Sequence, residues 1–169
     1  GRFAHETCSY APLVEGQPVV FYMGDDARNE YIYKFVSKAV WDAKDKNGGL
    51  AAGSKYLDQG TLYVAKFNAD GSGEWVELTH GKNGLDSNNS KYPFASQADV
   101  VIYARLAADS VGATKMDRPE WCSVHPKTQE VYFSLTNNSR RTPALTDAPN
   151  PRSYADAKPT KDGETSTTT

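Results

Sequence analysis

Short runs of alternating or continuous apolar residues, bounded by turn residues, recur along this chain. Runs of about four to eight residues with this pattern are typical of β-strands. The ten tyrosines and three tryptophans favour the same assignment, because aromatic side chains are enriched in strands. The pattern predicts six strands, at Pro18–Met23, Tyr31–Val36, Thr61–Phe67, Glu74–Leu78, Trp121–His125 and Glu130–Leu135.

The segments between these strands predict one hairpin, one helix and two loops. Asp70-Gly71 and Gly73 favour a tight turn, so the strands on either side of it should be antiparallel neighbours. A mostly apolar stripe at helical spacing predicts a helix from about Ser96 to Ala108. Composition predicts loops over residues 42–53 and 81–92, and a flexible end from about Thr142.

A weak internal repeat indicates how the strands are organised. HETCSYAP leads through a turn to PVVFYMGDD, and RPEWCSVHP leads through a turn to EVYFSLTNN. Repeated antiparallel units of this kind are typical of β-propeller blades, which contact mainly their neighbours. The fold class predicted is all-β with a minor helical insert, as a partial β-propeller of two to three blades. Its open edges would be completed by further chain.

Charge and composition limit the possible partners. Nineteen basic and 21 acidic residues give a formal net charge of −2, which provides no general attraction for nucleic acid or anionic lipid. No apolar run approaches the roughly 20 residues that a membrane-spanning helix needs. Cys8 and Cys122 are compatible either with one disulfide or with two free thiols, and neither has zinc-site spacing.

The densest group of chemically active residues is TKMDRPEW. Pro119 favours an extended conformation for Arg118, which would place Arg118 and Glu120 on one side of the segment. A guanidinium fork beside a carboxylate suits an anionic substrate held against a metal. An ordinary salt bridge at the start of a strand is the alternative interpretation.

Two further groups are candidates. Glu6 at the start and Asp25 after a strand supply hard oxygen donors suited to calcium, magnesium or ferric iron, although Asp25 also fits a solvated turn. Asn138, within TNNSRR, belongs to an amide and guanidinium cluster that could bind phosphate, and a solvated polar loop is its alternative.

Several strings carry a resemblance to a known family. GRFAHE, VVFYMGDDARNEYIYKFVS, GTLYVAKFNADGSGEW, ARLAADSVGATKMDRPEW and VHPKTQEVYFSLTNNSRR together resemble a central stretch of the PhoX alkaline phosphatases. The resemblance runs from Gly1 to about Arg152. Residues 1–152 are therefore expected to form part of the phosphatase propeller, and residues 153–169 a flexible low-complexity tail.

The resemblance implies a six-bladed propeller with an iron and calcium cluster, exported to the periplasm or cell exterior, which hydrolyses phosphate monoesters. Glu6 and Glu120 resemble cluster ligands, with Asp25 as a further ligand. Arg118 resembles the arginine that holds the substrate phosphate, and Asn138 is placed beside it by its position in the repeat. The expected partners are a phosphate monoester and the remainder of the propeller.

Two other functions compete with this hypothesis. The same carboxylates would suit a calcium-dependent propeller lactonase, against which the phosphate-binding role of Arg118 argues. A non-catalytic propeller fragment is the third possibility. The chain alone is expected to be inactive, because the cysteine that binds metal in the family is expected upstream of Gly1.

Overall fold

The computed structural model describes residues 1–157 of the 169. All six predicted strands are present with shifted ends, and β1 corresponds to the first strand of the repeat. The short strands β3 and β7 had no counterpart in the prediction. The strands are β1 His5–Tyr10, β2 Pro18–Asp25, β3 Arg28–Glu30, β4 Ile32–Val40, β5 Gly60–Phe67, β6 Gly73–Glu77, β7 Met116–Asp117, β8 Pro119–Val124 and β9 Val131–Leu135.

The strands form one large and two small antiparallel sheets. The large sheet has the order β1-β2-β4-β5-β6, while β3 pairs with β7 and β8 pairs with β9. The predicted hairpin is confirmed, since β5 and β6 pair from Tyr63 with Glu77 to Phe67 with Gly73. Strand β8 packs against β1 and β2. The chain is therefore mostly β with open sheets, and residues 1–157 contain no closed barrel or ring.

The large sheet buries apolar side chains on both faces. Tyr33 and Val64, paired across β4 and β5, lie on the face that carries the larger core. That core also contains Leu78, Leu85, Phe94 and the helical residues Val100, Ala104, Ala107 and Ala108. Ile32 and Ala65 lie on the opposite face, where they form a smaller cluster with Met116. Because β7 carries Met116, this second face holds the β3–β7 pair in place.

The predicted helix over 96–108 is present but broken into two. Helix α2 spans Gln97–Ile102 and α3 spans Ala104–Ser110, with Tyr103 between them at φ −101° and ψ 43°. The Ser96 hydroxyl accepts a hydrogen bond from the Asp99 amide and caps α2. A new helix begins at Ala104 after the break, and Arg105 is the only arginine in α2 and α3.

The predicted loop over 42–53 is wrong. A 3-10 turn spans Ala43–Asn47, and helix α1 spans Gly49–Leu57. Tyr56 explains the difference, because its buried ring packs on Trp41 and its hydroxyl accepts a hydrogen bond from the Asp42 amide at 3.0 Å. Tertiary contacts of one side chain therefore order a segment whose composition is typical of a loop. The predicted loop over 81–92 has neither helix nor strand.

The segment after Thr142 is also more ordered than its composition predicts. The Asn150 side chain donates to the Lys115 carbonyl at 3.0 Å, and the Tyr154 amide donates to the Arg141 carbonyl at 2.8 Å. Short 3-10 turns span Pro143–Leu145 and Tyr154–Ala157. Most of the predicted tail, residues 158–169, lies outside the described residues, so the boundary at residue 152 stays a prediction.

Cys8 and Cys122 are both free thiols. Cys8 pairs with Met23 and shares a shallow cleft with it on one face of the sheet. The next residue, Ser9, points to the other face, where its hydroxyl donates to the Cys122 carbonyl at 2.7 Å. The two thiols therefore belong to different faces. None of the helices in residues 1–157 has the length and apolar character that a membrane crossing requires.

Candidate active site

An open cleft of about 580 Å³ lies where β2, β3, α3 and β8 come together. Its wall carries two acidic and four basic side chains, which gives it an excess of positive charge. An excess of guanidinium groups in a concave surface favours anionic ligands. The cleft is lined by Asp26, Ala27, Arg28, Glu30, Arg105, Arg118 and Arg140.

Arg118 reaches the cleft from an unusual backbone conformation. Its φ is +47°, so the extended conformation predicted from Pro119 is wrong. The left-handed region is unfavourable for a residue with a side chain, and such conformations persist only where the surroundings fix them. The adjacent residues supply that constraint, because Asp117 pairs with Arg28 in the β3–β7 ladder and Pro119 begins β8. The local proline rule is therefore overridden by strand pairing on both sides.

The Arg118 guanidinium lies between two carboxylates. Nη2 donates to Asp26 Oδ2 at 3.1 Å and lies 3.2 Å from Glu120 Oε1. Nε is 2.9 Å from Asp26 Oδ1, but this oxygen accepts no hydrogen bond from the described residues, so the contact is electrostatic. The hydrogen bond that Arg118 donates to Asp26 is the main reason that the pKa of Arg118 is raised, and the charges of Asp26, Glu120 and Glu6 add to it. The structure therefore places Glu120 in contact with Arg118, and Glu6 near enough for its charge to act on Arg118.

Glu120 is held in place from a second side. The Thr136 hydroxyl, just after β9, donates to Glu120 Oε1 at 2.6 Å. Glu6 is exposed and lies at the irregular end of β1, where the register shifts between His5 and Cys8. Glu120 is thus oriented by its neighbours, while Glu6 is open to solvent or to further chain.

Gly24 makes the close contact that brings these elements together. A Cβ atom at Gly24 would overlap the Pro119 carbonyl and would lie 2.9 Å from the Glu120 carbonyl oxygen. Backbone atoms cannot move aside as a flexible side chain can. Only glycine therefore allows the end of β2 to pass so close to the Arg118-Pro119-Glu120 segment.

Asp25 is fully buried and engaged by Arg105. Nε donates to Oδ2 at 2.8 Å and Nη2 donates to Oδ1 at 2.6 Å, while the Ala4 amide donates to Oδ1 at 3.2 Å. This hydrogen bonding raises the pKa of Arg105 above its usual range. Both carboxylate oxygens are therefore occupied by donors, and the role of Asp25 as a metal ligand stays a prediction.

Glu30 was not identified from the sequence. Burial raises the pKa of its carboxyl to about 7, although the positive charge of Arg105 opposes this rise. Oε2 lies 3.5 Å from Arg105 Nε and accepts no hydrogen bond from residues 1–157. No pattern could have identified it, since it lies on a three-residue strand and meets Arg105 across 75 positions of sequence.

Asn138 is buried beside the cleft and its amide is fully used. Nδ2 donates to Asn29 Oδ1 at 2.8 Å and to Asp117 Oδ1 at 2.7 Å, and Oδ1 accepts from the Arg140 amide at 3.0 Å. These bonds connect the backbone segments that carry three of the cleft arginines. The predicted role of Asn138 in substrate binding stays a prediction.

Two comparisons with known proteins give a match, one to a family model and one to a solved structure. A family model described as alkaline phosphatase PhoX matches residues 1–158. This chain belongs to the PhoX alkaline phosphatase family. The match extends six residues beyond Arg152, the approximate end of the sequence resemblance. A search of curated proteins gives no match.

A solved structure is similar to this PhoX-family chain. It is described as Pseudomonas fluorescens PhoX in complex with vanadate, a transition state analogue. The sequence identity is 48%, the TM-score is 0.78, and the alignment covers 91% of this chain. It covers 27% of the other chain, so this chain spans about a quarter of that relative's length.

Carboxylates are the metal donors that this PhoX-family chain offers. Glu120 has a carboxylate oxygen 3.2 Å from Arg118, and Glu6 carries a second, exposed carboxylate. Such hard oxygen donors suit calcium or ferric iron. Within residues 1–157, no three His, Cys, Asp or Glu side chains converge as a metal-binding group. The described residues alone therefore form no complete metal site, and the roles of Glu6 and Glu120 as metal ligands stay predictions.

Proposed function

We propose that this chain forms part of the active site of a metal-dependent alkaline phosphatase that hydrolyses phosphate monoesters. The observation that carries the proposal is the Arg118 guanidinium, held by Asp26 and Glu120 at the wall of a positively charged cleft. Membership of the PhoX family and the similarity to a relative that binds vanadate support the same chemistry.

Arg118 has the properties that phosphate binding requires. A guanidinium remains charged at alkaline pH and can donate two parallel hydrogen bonds to phosphate oxygens. Two carboxylates fix its orientation, so little conformational entropy is lost when an anion binds. Arg118 would therefore bind the phosphoryl group and stabilise the charge on its oxygens during transfer.

Glu6 and Glu120 are the residues that would hold metal, and we propose iron and calcium as the ions. When bound, such cations supply positive charge for the phosphate oxygens and activate an oxygen nucleophile. Glu120 has the stronger support, because Thr136 and Arg118 both orient its carboxylate. Asp25 remains a further candidate ligand, and Asn138 a further candidate for phosphate binding.

The remaining donors and walls of the site would come from the rest of a longer protein. The open sheets of this chain would form two to three blades of a six-bladed propeller, and their edges would pair with the remaining blades. We propose that this longer protein acts in the periplasm or outside the cell. The isolated chain would be inactive, since its metal site is incomplete.

The test uses the full-length protein that contains this chain. Wild type should hydrolyse p-nitrophenyl phosphate, whereas Glu120→Gln and Arg118→Gln should each lose at least about a hundredfold in kcat/KM. Metal content should fall in Glu120→Gln but not in Arg118→Gln. Glu130→Gln, an exposed carboxylate of the β8–β9 hairpin, is the matched control and should retain both activity and metal.

Two outcomes would reject the assignment. Hydrolysis of a lactone without hydrolysis of p-nitrophenyl phosphate would select the calcium-dependent lactonase. A full-length protein that binds metal but hydrolyses neither substrate would select the non-catalytic interpretation. Undiminished turnover by Glu120→Gln would remove this site from the mechanism even if the protein is a phosphatase.

A further inference from the structure

Two of the four cleft arginines have no acidic partner. Arg105 is paired with Asp25, and Arg118 is paired with Asp26 and Glu120. Arg28 and Arg140, by contrast, make no ion pair and no side-chain hydrogen bond with any residue in the part of the chain that the structure describes. They line the same cleft as Arg118. Arg105 and Arg118 each face two carboxylates, since Arg105 also lies 3.5 Å from Glu30. Arg28 and Arg140 are therefore the two cleft arginines whose guanidinium donors remain available to an anionic ligand.

The positions of Arg28 and Arg140 are fixed by a buried polar network. Arg28 begins β3 and pairs with Asp117, the residue before Arg118. Arg140 follows β9, and its amide donates to Asn138 Oδ1. Asn138 in turn donates to Asn29 and to Asp117, and it is only 3% exposed. One buried amide thus ties together the backbone segments that carry Arg28, Arg118 and Arg140.

The network also fixes a strained residue next to Arg28. Asn29 has a φ of +65°, in the left-handed region, and its side-chain oxygen accepts from Asn138. Asparagine tolerates this region better than most residues, but the conformation still has to be held by neighbours. The backbone around Arg28 is therefore fixed by tertiary contacts, although the Arg28 side chain is exposed.

We propose that Arg28 and Arg140 form a second anion subsite in the cleft, which selects phosphate monoesters whose leaving group carries another phosphate or carboxylate. This inference rests on the proposed phosphatase function, in which Arg118 binds the transferred phosphoryl group. A cleft of about 580 Å³ has room for a substrate with two anionic groups. Arg28 and Arg140 would hold the group that stays with the alcohol product.

The chemistry of the step is unchanged by this subsite. Water attacks phosphorus, the bond from phosphorus to the ester oxygen breaks, and the alkoxide takes a proton to leave as alcohol with inorganic phosphate. Arg28 and Arg140 contact only the second anionic group, so they are specificity-determining residues. Their contribution appears as a preference between two substrates that differ only in that group.

The test compares 3-phosphoglycerate with glycerol 3-phosphate, which share a three-carbon phosphate ester and differ by a carboxylate. In the full-length protein, Arg28→Gln and Arg140→Gln should each lower kcat/KM for 3-phosphoglycerate by about tenfold, as expected for a charged hydrogen bond. The kcat/KM for glycerol 3-phosphate should change by less than about twofold. Arg152→Gln, an exposed arginine outside this cleft, is the control and should leave both values unchanged.

Kinetic and binding measurements together distinguish failure of the subsite from failure of the proposed phosphatase function. If wild type hydrolyses both substrates equally and the variants change neither, the subsite is rejected and the phosphatase assignment stands. Equal losses on both substrates would also reject it, because the arginines would then act on the shared phosphate. If the full-length protein hydrolyses neither substrate, the phosphatase assignment fails and calorimetry with 3-phosphoglycerate tests the subsite alone. Tighter binding by wild type than by Arg28→Gln would support the subsite. Equal binding by the two proteins would reject the subsite as well.

Discussion

Arg105 binds the fully buried carboxylate of Asp25 through two hydrogen bonds, Nε to Oδ2 at 2.8 Å and Nη2 to Oδ1 at 2.6 Å. The pair joins the start of α3 to the end of β2, across 80 positions of sequence. Because the Ala4 amide also donates to Asp25, one carboxylate connects three separate segments next to the cleft.

Asp25→Asn should destabilise the protein, because it leaves the Arg105 guanidinium without its charged partner. Breaking a fully buried pair costs about 3–5 kcal/mol, and since Arg105 is partly exposed we expect about 2–3 kcal/mol. Chemical denaturation of the full-length protein measures this loss. Glu74→Gln is the control, because its exposed pair with Lys66 should contribute less than about 1 kcal/mol. Similar losses for both variants would contradict the prediction.

Glu30 should make stability fall as the pH rises. Its pKa is about 7 in the folded protein and 4.5 for an unperturbed side chain, so the folded state binds the proton more tightly. The stabilisation is complete below about pH 4.5 and is lost as the pH rises through 7. Ionisation then places a partly desolvated carboxylate at the wall of the cleft.

The difference in free energy of unfolding between Glu30→Gln and wild type reports this effect. Glutamine resembles the protonated acid, so the difference should be near zero at pH 4.5 and reach about 2–3 kcal/mol in favour of the variant at pH 8. Denaturant titrations at several pH values provide the measurement. A difference that does not change with pH would show that Glu30 titrates normally.

Gly24→Ala adds only one methyl group but should displace the residues of the active site. The added methyl would overlap the Pro119 carbonyl, which forces β2 and β8 apart. We expect a loss of about 2–4 kcal/mol in stability and a fall in kcat/KM, since the positions of Arg118 and Glu120 depend on this contact. Gly53→Ala in α1 is the matched control, because a Cβ there meets nothing within 4 Å. The control should be neutral or slightly stabilising.

Asn138→Ala distinguishes a positioning role from substrate contact. Removing the amide leaves Asn29 Oδ1 without its donor and takes away one of the two donors to Asp117 Oδ1, the other being Arg141 Nε, so stability should fall by about 2–3 kcal/mol. Asn137→Ala, at the exposed neighbouring position, should be neutral. If Asn138 binds phosphate directly, KM should rise strongly while stability stays within about 0.5 kcal/mol of wild type, contrary to the expectation from its buried network.

The sequence predicted those parts of the fold that local patterns determine. Runs of apolar residues located six of the nine strands, the internal repeat indicated β1, and the glycines after Asp70 located the β5–β6 turn. Helix α1 was missed, because Tyr56 orders it through contacts with Trp41 and Asp42 that no local pattern encodes. The break at Tyr103 was missed for a similar reason, since the apolar stripe continues through it.

The candidate site was predictable where a motif carried it. Arg118 and Glu120 were identified as a pair and lie 3.2 Å apart, although the backbone conformation expected from Pro119 was wrong. Glu30 and Arg105 could not be found in this way. Arg105 appeared as one residue of a helical stripe, and its pairing with Asp25 depends on tertiary packing of α3 against the end of β2.

The left-handed backbone at Arg118 has a consequence for how quickly the cleft can respond to a ligand. The strain of that conformation is offset during folding, when the β3–β7 pair forms before Arg118 in the chain and the β8–β9 pair forms after it. An arriving anion therefore meets a guanidinium whose backbone is already fixed by strand pairing on both sides. Association should be limited by diffusion and by release of water, and not by a conformational step.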